Sequence, residues 1–150
     1  MKTIHVGMPA PFFSGIDQND QSISLSDFAG KKVLLYFYPK DDTETCTKQA
    51  CNLRDNYALL QQSGWTIIGI SPDTTKSHRK FMQKYALPFT LIADTDLVIA
   101  KDYGVWQWKK FMGREYMGIV RTTFLIDENG IIERIIDKVK AKDHANQLLV

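Results

Sequence analysis

YFYPKDDTETCTKQACNLRDNY, residues Tyr36–Tyr57, decides how the chain is read. Its front closes the apolar run VLLYFY (Val33–Tyr38), which is bounded by Pro39 and reads as a strand buried on both faces. Its back reads as an amphipathic helix. From Cys46, apolar or small residues recur at Ala50, Leu53, Tyr57 and Leu60, the spacing of one helix face, and Ser63-Gly64 ends the run. A strand thus hands over to a helix N-terminus, and the only two cysteines of the chain, Cys46 and Cys51, stand at that junction.

The same alternation continues outward. WTIIGI (Trp65–Ile70), FTLIA (Phe89–Ala93) and TFLID (Thr123–Asp127) read as further strands. Between them, helices are expected over Thr75–Tyr85, with Phe81 and Tyr85 inward and a stop before Leu87-Pro88, and over Asp96–Tyr103, ending at Gly104. TTFLIDENGIIERIID reads as a hairpin turning at Glu128-Asn129-Gly130, and a last helix starts near Lys142. The aromatics of GVWQWKKFMGREYMG (Gly104–Gly118) are expected to pack beneath a long connection; an exposed Trp pair there would instead mark a partner or substrate contact. Strands alternating with helices, followed by a late hairpin, predict a three-layer α/β fold with a mixed central sheet flanked by helices.

At 150 residues, without repeat or linker, the chain fits one domain, 1–150. The net charge of +2 and the short, isolated pairs Lys31-Lys32 and Lys109-Lys110 argue against nucleic acid as a partner. MKTIHVGMPAPFF lacks the apolar centre of a signal peptide, and no run approaches the ~20 apolar residues of a membrane span, so the expected location is the cytoplasm. In a reducing cytosol, a cysteine pair points to catalysis, redox sensing or metal binding rather than a permanent staple.

Each cysteine reading is weighed on its spacing. Cys46 lies on the apolar stripe of its helix, as a small core residue would. It also lies where unpaired N–H groups and the positive end of the helix dipole favour a thiolate. The C-x4-C spacing and the scattered His5, His78 and His144 do not match a four-ligand zinc site, and the C-x-x-C of a general dithiol oxidoreductase is absent. In an intact helix, residues five apart have Cα atoms about 8–9 Å apart. A disulfide needs about 4.4–6.8 Å. The two sulfurs can join only if the first turns of this helix unwind.

Pro39, Thr43 and Cys46 stand as P-x-x-x-T-x-x-C, which resembles the active-site signature of the peroxiredoxins. YFYPKDDT, CTKQAC and LRD resemble the bacterioferritin-comigratory (Q-type) branch. The similarity extends through PAPFF, SLSDFAGKKVLLYFYP, GISPD, FTLIAD, YGVW and RTTFLIDENG. The resemblance implies a thioredoxin-like fold and reduction of hydrogen peroxide and organic hydroperoxides without metal or organic cofactor. It implies Cys46 as the peroxidatic nucleophile, Cys51 as the resolving cysteine of the same chain, Thr43 and Arg121 lining the site and Pro39 shielding it. It further implies recycling by thioredoxin or a similar dithiol reductant, and a monomer. Gln49, one turn after Cys46, is placed to orient Arg121.

A cysteine with an ordinary pKa near 8.5 is only about 3% thiolate at pH 7. Tuning that value contributes at most about 2 kcal/mol, so donors aimed at the peroxide oxygens must supply the rest. Thr43-Glu44-Thr45-Cys46 departs from the T-P-G-C usual in the branch. A β-branched Thr45 disfavours positive φ, and Glu44 opposes a thiolate if it points inward. Two other readings stand beside the peroxidase: a non-catalytic redox sensor, and a thioredoxin-like binding module with inert thiols.

Overall fold

The strand expected at Val33–Tyr38 lies in the interior of a seven-stranded sheet and is covered on both faces. Val33, Leu35 and Phe37 pack on one side with Ile68, Ile70, Ile92 and Phe124; Leu34, Tyr36 and Tyr38 pack on the other with Leu53, Leu60, Phe81 and Leu148. That double burial is why the run is continuously apolar instead of alternating.

The computed structural model describes residues 4–149; residues 1–3 and 150, the ends of the expected domain, lie outside the described residues. Its strands are β1 (Ser14–Asp17), β2 (Ser22–Ser24), β3 (Lys32–Phe37), β4 (Trp65–Ser71), β5 (Thr90–Ala93), β6 (Trp106–Phe111), β7 (Arg114–Ile119), β8 (Thr122–Ile126) and β9 (Ile132–Ile136). Its helices are α1 (Glu44–Asp55), α2 (Tyr57–Gln62), α3 (Thr75–Tyr85), α4 (Val98–Asp102) and α5 (His144–Leu149). The main sheet runs β2-β1-β5-β4-β3-β8-β9, with β3, β4 and β5 parallel and the outer pairings antiparallel. α1, α2, α3 and α5 cover one face through Leu53, Leu60, Phe81 and Leu148, while α4 covers the other through Ile99 and Ala100. This is the three-layer, mixed-sheet, thioredoxin-like architecture expected.

α3 and the β8–β9 hairpin fall where expected. Ala86, at φ 51°, closes α3 before Leu87-Pro88. The Asp127 carboxylate accepts from the N–H groups of Asn129 (2.8 Å) and Ile131 (3.0 Å), shaping the hairpin turn around Gly130. Other boundaries move for local reasons. The helix expected to run from Cys46 to Ser63 starts at Glu44 and breaks at Asn56, whose side-chain amide donates to the Asn52 carbonyl at 2.9 Å. The helix expected over Asp96–Tyr103 shortens to α4 because Leu97 is left-handed (φ 63°) and the Asp94 carboxylate caps the N–H groups of Ile99 and Ala100. A short 3₁₀ turn, Ala141–Asp143, precedes α5.

The largest correction concerns Gly104–Gly118. This segment is a two-stranded hairpin, β6 and β7, turning at Met112-Gly113, both with positive φ (51° and 78°). Trp106 packs on the core, but Trp108 (61%), Phe111 (63%) and Met112 (85%) are exposed. The aromatics therefore do not pack beneath a connection, Trp106 excepted.

Candidate active site

α1 presents Cys46 as its third residue. The first hydrogen bond of the helix runs from Thr47 N–H to the Thr43 carbonyl at 2.8 Å, so the N–H groups of Glu44, Thr45 and Cys46 precede the helical ladder. Cys46 is 3% exposed and packs in the core layer that holds Tyr36 and Tyr38. Arg121, on the link between β7 and β8, reaches it from the sheet. Its Nη2 donates to Cys46 Sγ at 3.1 Å and its Nη1 donates to Gln49 Oε1 at 2.6 Å. Gln49 is fully buried, so one arm of the guanidinium fork is held by α1 and the other is aimed at sulfur. The orienting role expected for Gln49 has this geometry.

The loop from Tyr38 to Thr43 joins β3 to α1. Pro39 is half-buried two residues beyond the strand. Thr43 occupies the N-cap position, but its hydroxyl donates to the Lys40 carbonyl at 3.0 Å and makes no cap bond. Its oxygen keeps its acceptor capacity. Glu44 turns outward to Lys48 at 2.8 Å, and the hydrogen bond from that ammonium holds its carboxyl below the usual range; it does not confront the sulfur. Thr45 is helical. The positive φ of this turn falls on Asp42 (57°), whose carboxylate accepts from Lys84 Nζ and the Tyr85 hydroxyl, each at 2.8 Å. Both difficulties raised by the sequence TETC are thereby removed.

Cys51 is half-buried in the same helix, and both cysteines are free thiols. Three neighbours escaped sequence reasoning. Tyr36 is wholly buried; desolvation foremost, then the nearby Cys46 and Asp41, push its hydroxyl far above the ordinary range. Lys109 on β6 donates to the Ile119 carbonyl at 2.8 Å; burial first, then Arg121, hold its ammonium below the usual lysine range, against the opposing pull of Cys46. Lys109-Lys110 had the look of plain surface charge, and only the hairpin brings Lys109 inward. His78 is the third: its ring meets Asp41 and lies wholly inside. Asp41, Asp73 and His78 place three potential metal-ligand atoms within 4.8 Å of one another. All three are engaged in hydrogen bonds within the protein: His78 Nδ1 and Asp41 Oδ2 with each other, and Asp73 Oδ2 with the Asp41 N–H and the Ser71 hydroxyl.

The AhpC/TSA family model matches residues 6–135. A bcp-named peroxiredoxin relative from Haemophilus influenzae is 49% identical over 149 residues, 99% of this chain and 96% of its own. Peroxiredoxin Bcp of Bacillus subtilis is 44% identical over 147 residues, covering 98% of this chain and 94% of its own. A cysteine-to-serine variant of Xylella fastidiosa PrxQ superposes with a TM-score of 0.91 at 27% identity, covering 99% of this chain and 95% of that one.

Proposed function

The chain belongs to the AhpC/TSA family and is a thiol peroxidase, and from that premise we propose that Cys46 is its peroxidatic nucleophile and Cys51 its resolving cysteine. The observation that carries this reading is the Arg121 fork, 3.1 Å from Cys46 Sγ and held by Gln49. A cation donating to sulfur stabilises thiolate over thiol.

The thiolate attacks one oxygen of the peroxide, the O–O bond breaks, and the second oxygen leaves as alkoxide or hydroxide and takes up a proton from solvent. Cys46 is left as a sulfenic acid. Arg121 and the N–H groups at the start of α1 oppose the charge developing on both oxygens, the Thr43 oxygen accepts the peroxide hydrogen, and Pro39 shields the pocket. The Cys51 thiol then condenses with the sulfenic acid, releasing water and forming the Cys46–Cys51 disulfide. Because both lie in one intact helix, this step requires α1 to unwind. The family acts on peroxides with a thioredoxin-type reductant. Here that dithiol, oxidised in turn to its own disulfide, returns both cysteines to thiols. Membership in a peroxidase family displaces the sensor and inert-module readings.

Among the described residues no helix is long and apolar enough to cross a membrane. The reading is completed by one domain over residues 1–150, acting as a monomer in the cytoplasm. Cys46→Ser should abolish peroxide turnover in a thioredoxin-coupled assay. Cys51→Ser should consume one equivalent of peroxide per chain and then stall. Undiminished turnover by Cys46→Ser would refute the assignment.

A further inference from the structure

His78, fully enclosed in the middle of α3, meets an oxygen at each ring nitrogen. Nε2 lies 2.9 Å from the main-chain carbonyl of Ile92 on β5, and Nδ1 lies 2.7 Å from Oδ2 of Asp41. The carbonyl offers only lone pairs, so Nε2 donates to it, and a second proton lies on the line between Nδ1 and the Asp41 carboxyl. Both ring nitrogens are thereby tied.

The surroundings of Asp41 agree. Its Oδ1 accepts the Tyr38 hydroxyl at 2.6 Å, and its Oδ2 accepts the Ser77 hydroxyl at 2.8 Å as well as the ring. The carboxyl is therefore held at both oxygens, which fixes its plane within the loop. The groups facing the ring thus come from α3 itself (Ser77), from the end of β3 (Tyr38), from the loop (Asp41) and from β5 (the Ile92 carbonyl). Asp73, beyond β4, accepts the Asp41 N–H at 2.7 Å and completes the enclosure. Removing one member of such a buried set leaves its partners without their hydrogen bonds.

Asp41 is two residues before Thr43 and five before Cys46, in the segment that joins β3 to α1. Where this segment sits decides where the Thr43 oxygen and the first N–H groups of α1 face. We propose that His78 is a positioning residue of the peroxidase site: its ring, tied at both nitrogens, locks the Tyr38–Thr43 loop to α3 and β5, and so holds Thr43 and the first turn of α1 around the Cys46 sulfur. The proposal rests on Cys46 as the peroxidatic nucleophile.

In single-turnover stopped-flow measurements, His78→Gln should lower the second-order rate of Cys46 oxidation by hydrogen peroxide at least tenfold. The following condensation with Cys51 should be unchanged or faster, because the freed loop is where unwinding of α1 begins. General destabilisation does not produce that split. Asp41→Asn is the conservative control: its amide oxygen accepts from Tyr38 while its NH₂ donates to Nδ1 of a neutral ring, so oxidation should stay within threefold of the parent chain. An oxidation rate within threefold of the parent in His78→Gln, a parallel fall of both steps, or an Asp41→Asn variant as slow as His78→Gln overturns the proposal. Nitrogen NMR of ¹⁵N-histidine-labelled protein in the Cys46→Ser background supplies a readout independent of activity. It should show a His78 ring N–H that exchanges slowly with solvent, as a ring locked at both nitrogens demands, and rapid exchange there overturns the proposal. Because that signal needs no peroxidase turnover, its outcome separates failure of this proposal from failure of the Cys46 assignment.

Discussion

Arg121 serves this site through its shape as much as its charge. One N–H group is spent on Gln49 at 2.6 Å, which fixes the plane of the guanidinium, and the other is thereby directed at Cys46 Sγ at 3.1 Å. A lysine carries the same charge as a point on a flexible stem, without the rigid fork that serves both partners. Removing a preorganised donor from a developing oxyanion costs about 3 kcal/mol, or roughly a hundredfold in rate. Arg121→Lys should therefore reduce kcat/KM for peroxide about a hundredfold. Gln49→Ala, which leaves Arg121 in place but unanchored, should reduce it about tenfold, a positioning effect smaller than the loss of the donor itself. Steady-state peroxide kinetics of the two variants check this order. If Arg121→Lys loses less than Gln49→Ala, charge alone suffices and the fork has no special role.

At the scale of the element, α1 has to be stable enough to hold Cys46 and weak enough to release it. The two requirements are divided along its length. The far end is pinned: Asn52 donates to the Lys142 carbonyl at 3.0 Å and accepts the Ala145 N–H at 2.8 Å, while Arg54 donates to the Tyr85 carbonyl at 2.7 Å. The near end is fixed at Asp42, through Lys84 and Tyr85, and between the two ends Cys46 and Gln49 are tied to Arg121. The segment that can unwind once Arg121 lets go is thus 43–51, and it contains both cysteines. The need for unwinding was legible from the five-residue spacing alone. Its limits were not, because the residues that pin Asn52 lie about ninety positions away. Thr45 is exposed within this segment, so its substitution acts on helix stability without disturbing packing. Glycine and alanine differ by about 1 kcal/mol in a helix. Thr45→Gly should form the Cys46–Cys51 disulfide about fivefold faster than Thr45→Ala after a single peroxide pulse, with oxidation of Cys46 equal in the two. Equal disulfide rates, followed by quenched mass analysis, would show that helix opening does not limit resolution.

Across the whole molecule, what sequence revealed and what it hid divide by the range of the interactions. β3, α1 and α3 were legible because burial on two faces, or on one helical stripe, writes itself into local pattern. The edge pair β1–β2 was missed because its polar residues, Ser14, Asp17 and Ser22 among them, carry no apolar signal. The β6–β7 hairpin was missed because its exposed aromatics resemble buried ones in composition. Cys46, Arg121 and Gln49 stood out through their motif; His78 and Lys109 did not, since only folding encloses them. His144 belongs to this second group and gives the fold a pH dependence of its own. It is fully buried, with Nε2 beside the Thr123 hydroxyl and Nδ1 beside the Gln147 amide oxygen, each at 2.8 Å. A neutral ring protonated at Nδ1 satisfies both. Burial first, with the nearby charge of Arg121 adding, holds its pKa below 6.5, and the hydrogen bond to Gln147 offsets part of this. The unfolded chain takes up that proton near pH 6.5 and the native chain does not, so below about 6.5 the unfolded state binds more protons and stability falls with pH. Asp94 acts in the opposite sense in a more acid window. Burial raises its carboxyl above 3.8 despite three backbone hydrogen bonds, so its ionisation costs stability as pH climbs from that value. Between about pH 7 and pH 5, the fall in Tm should therefore be steeper in the parent chain than in His144→Gln, which keeps polar groups near Thr123 and Gln147 but no titrating ring. Calorimetric scans of both proteins at the two pH values decide it, and identical falls would assign the acid sensitivity of this fold to other groups.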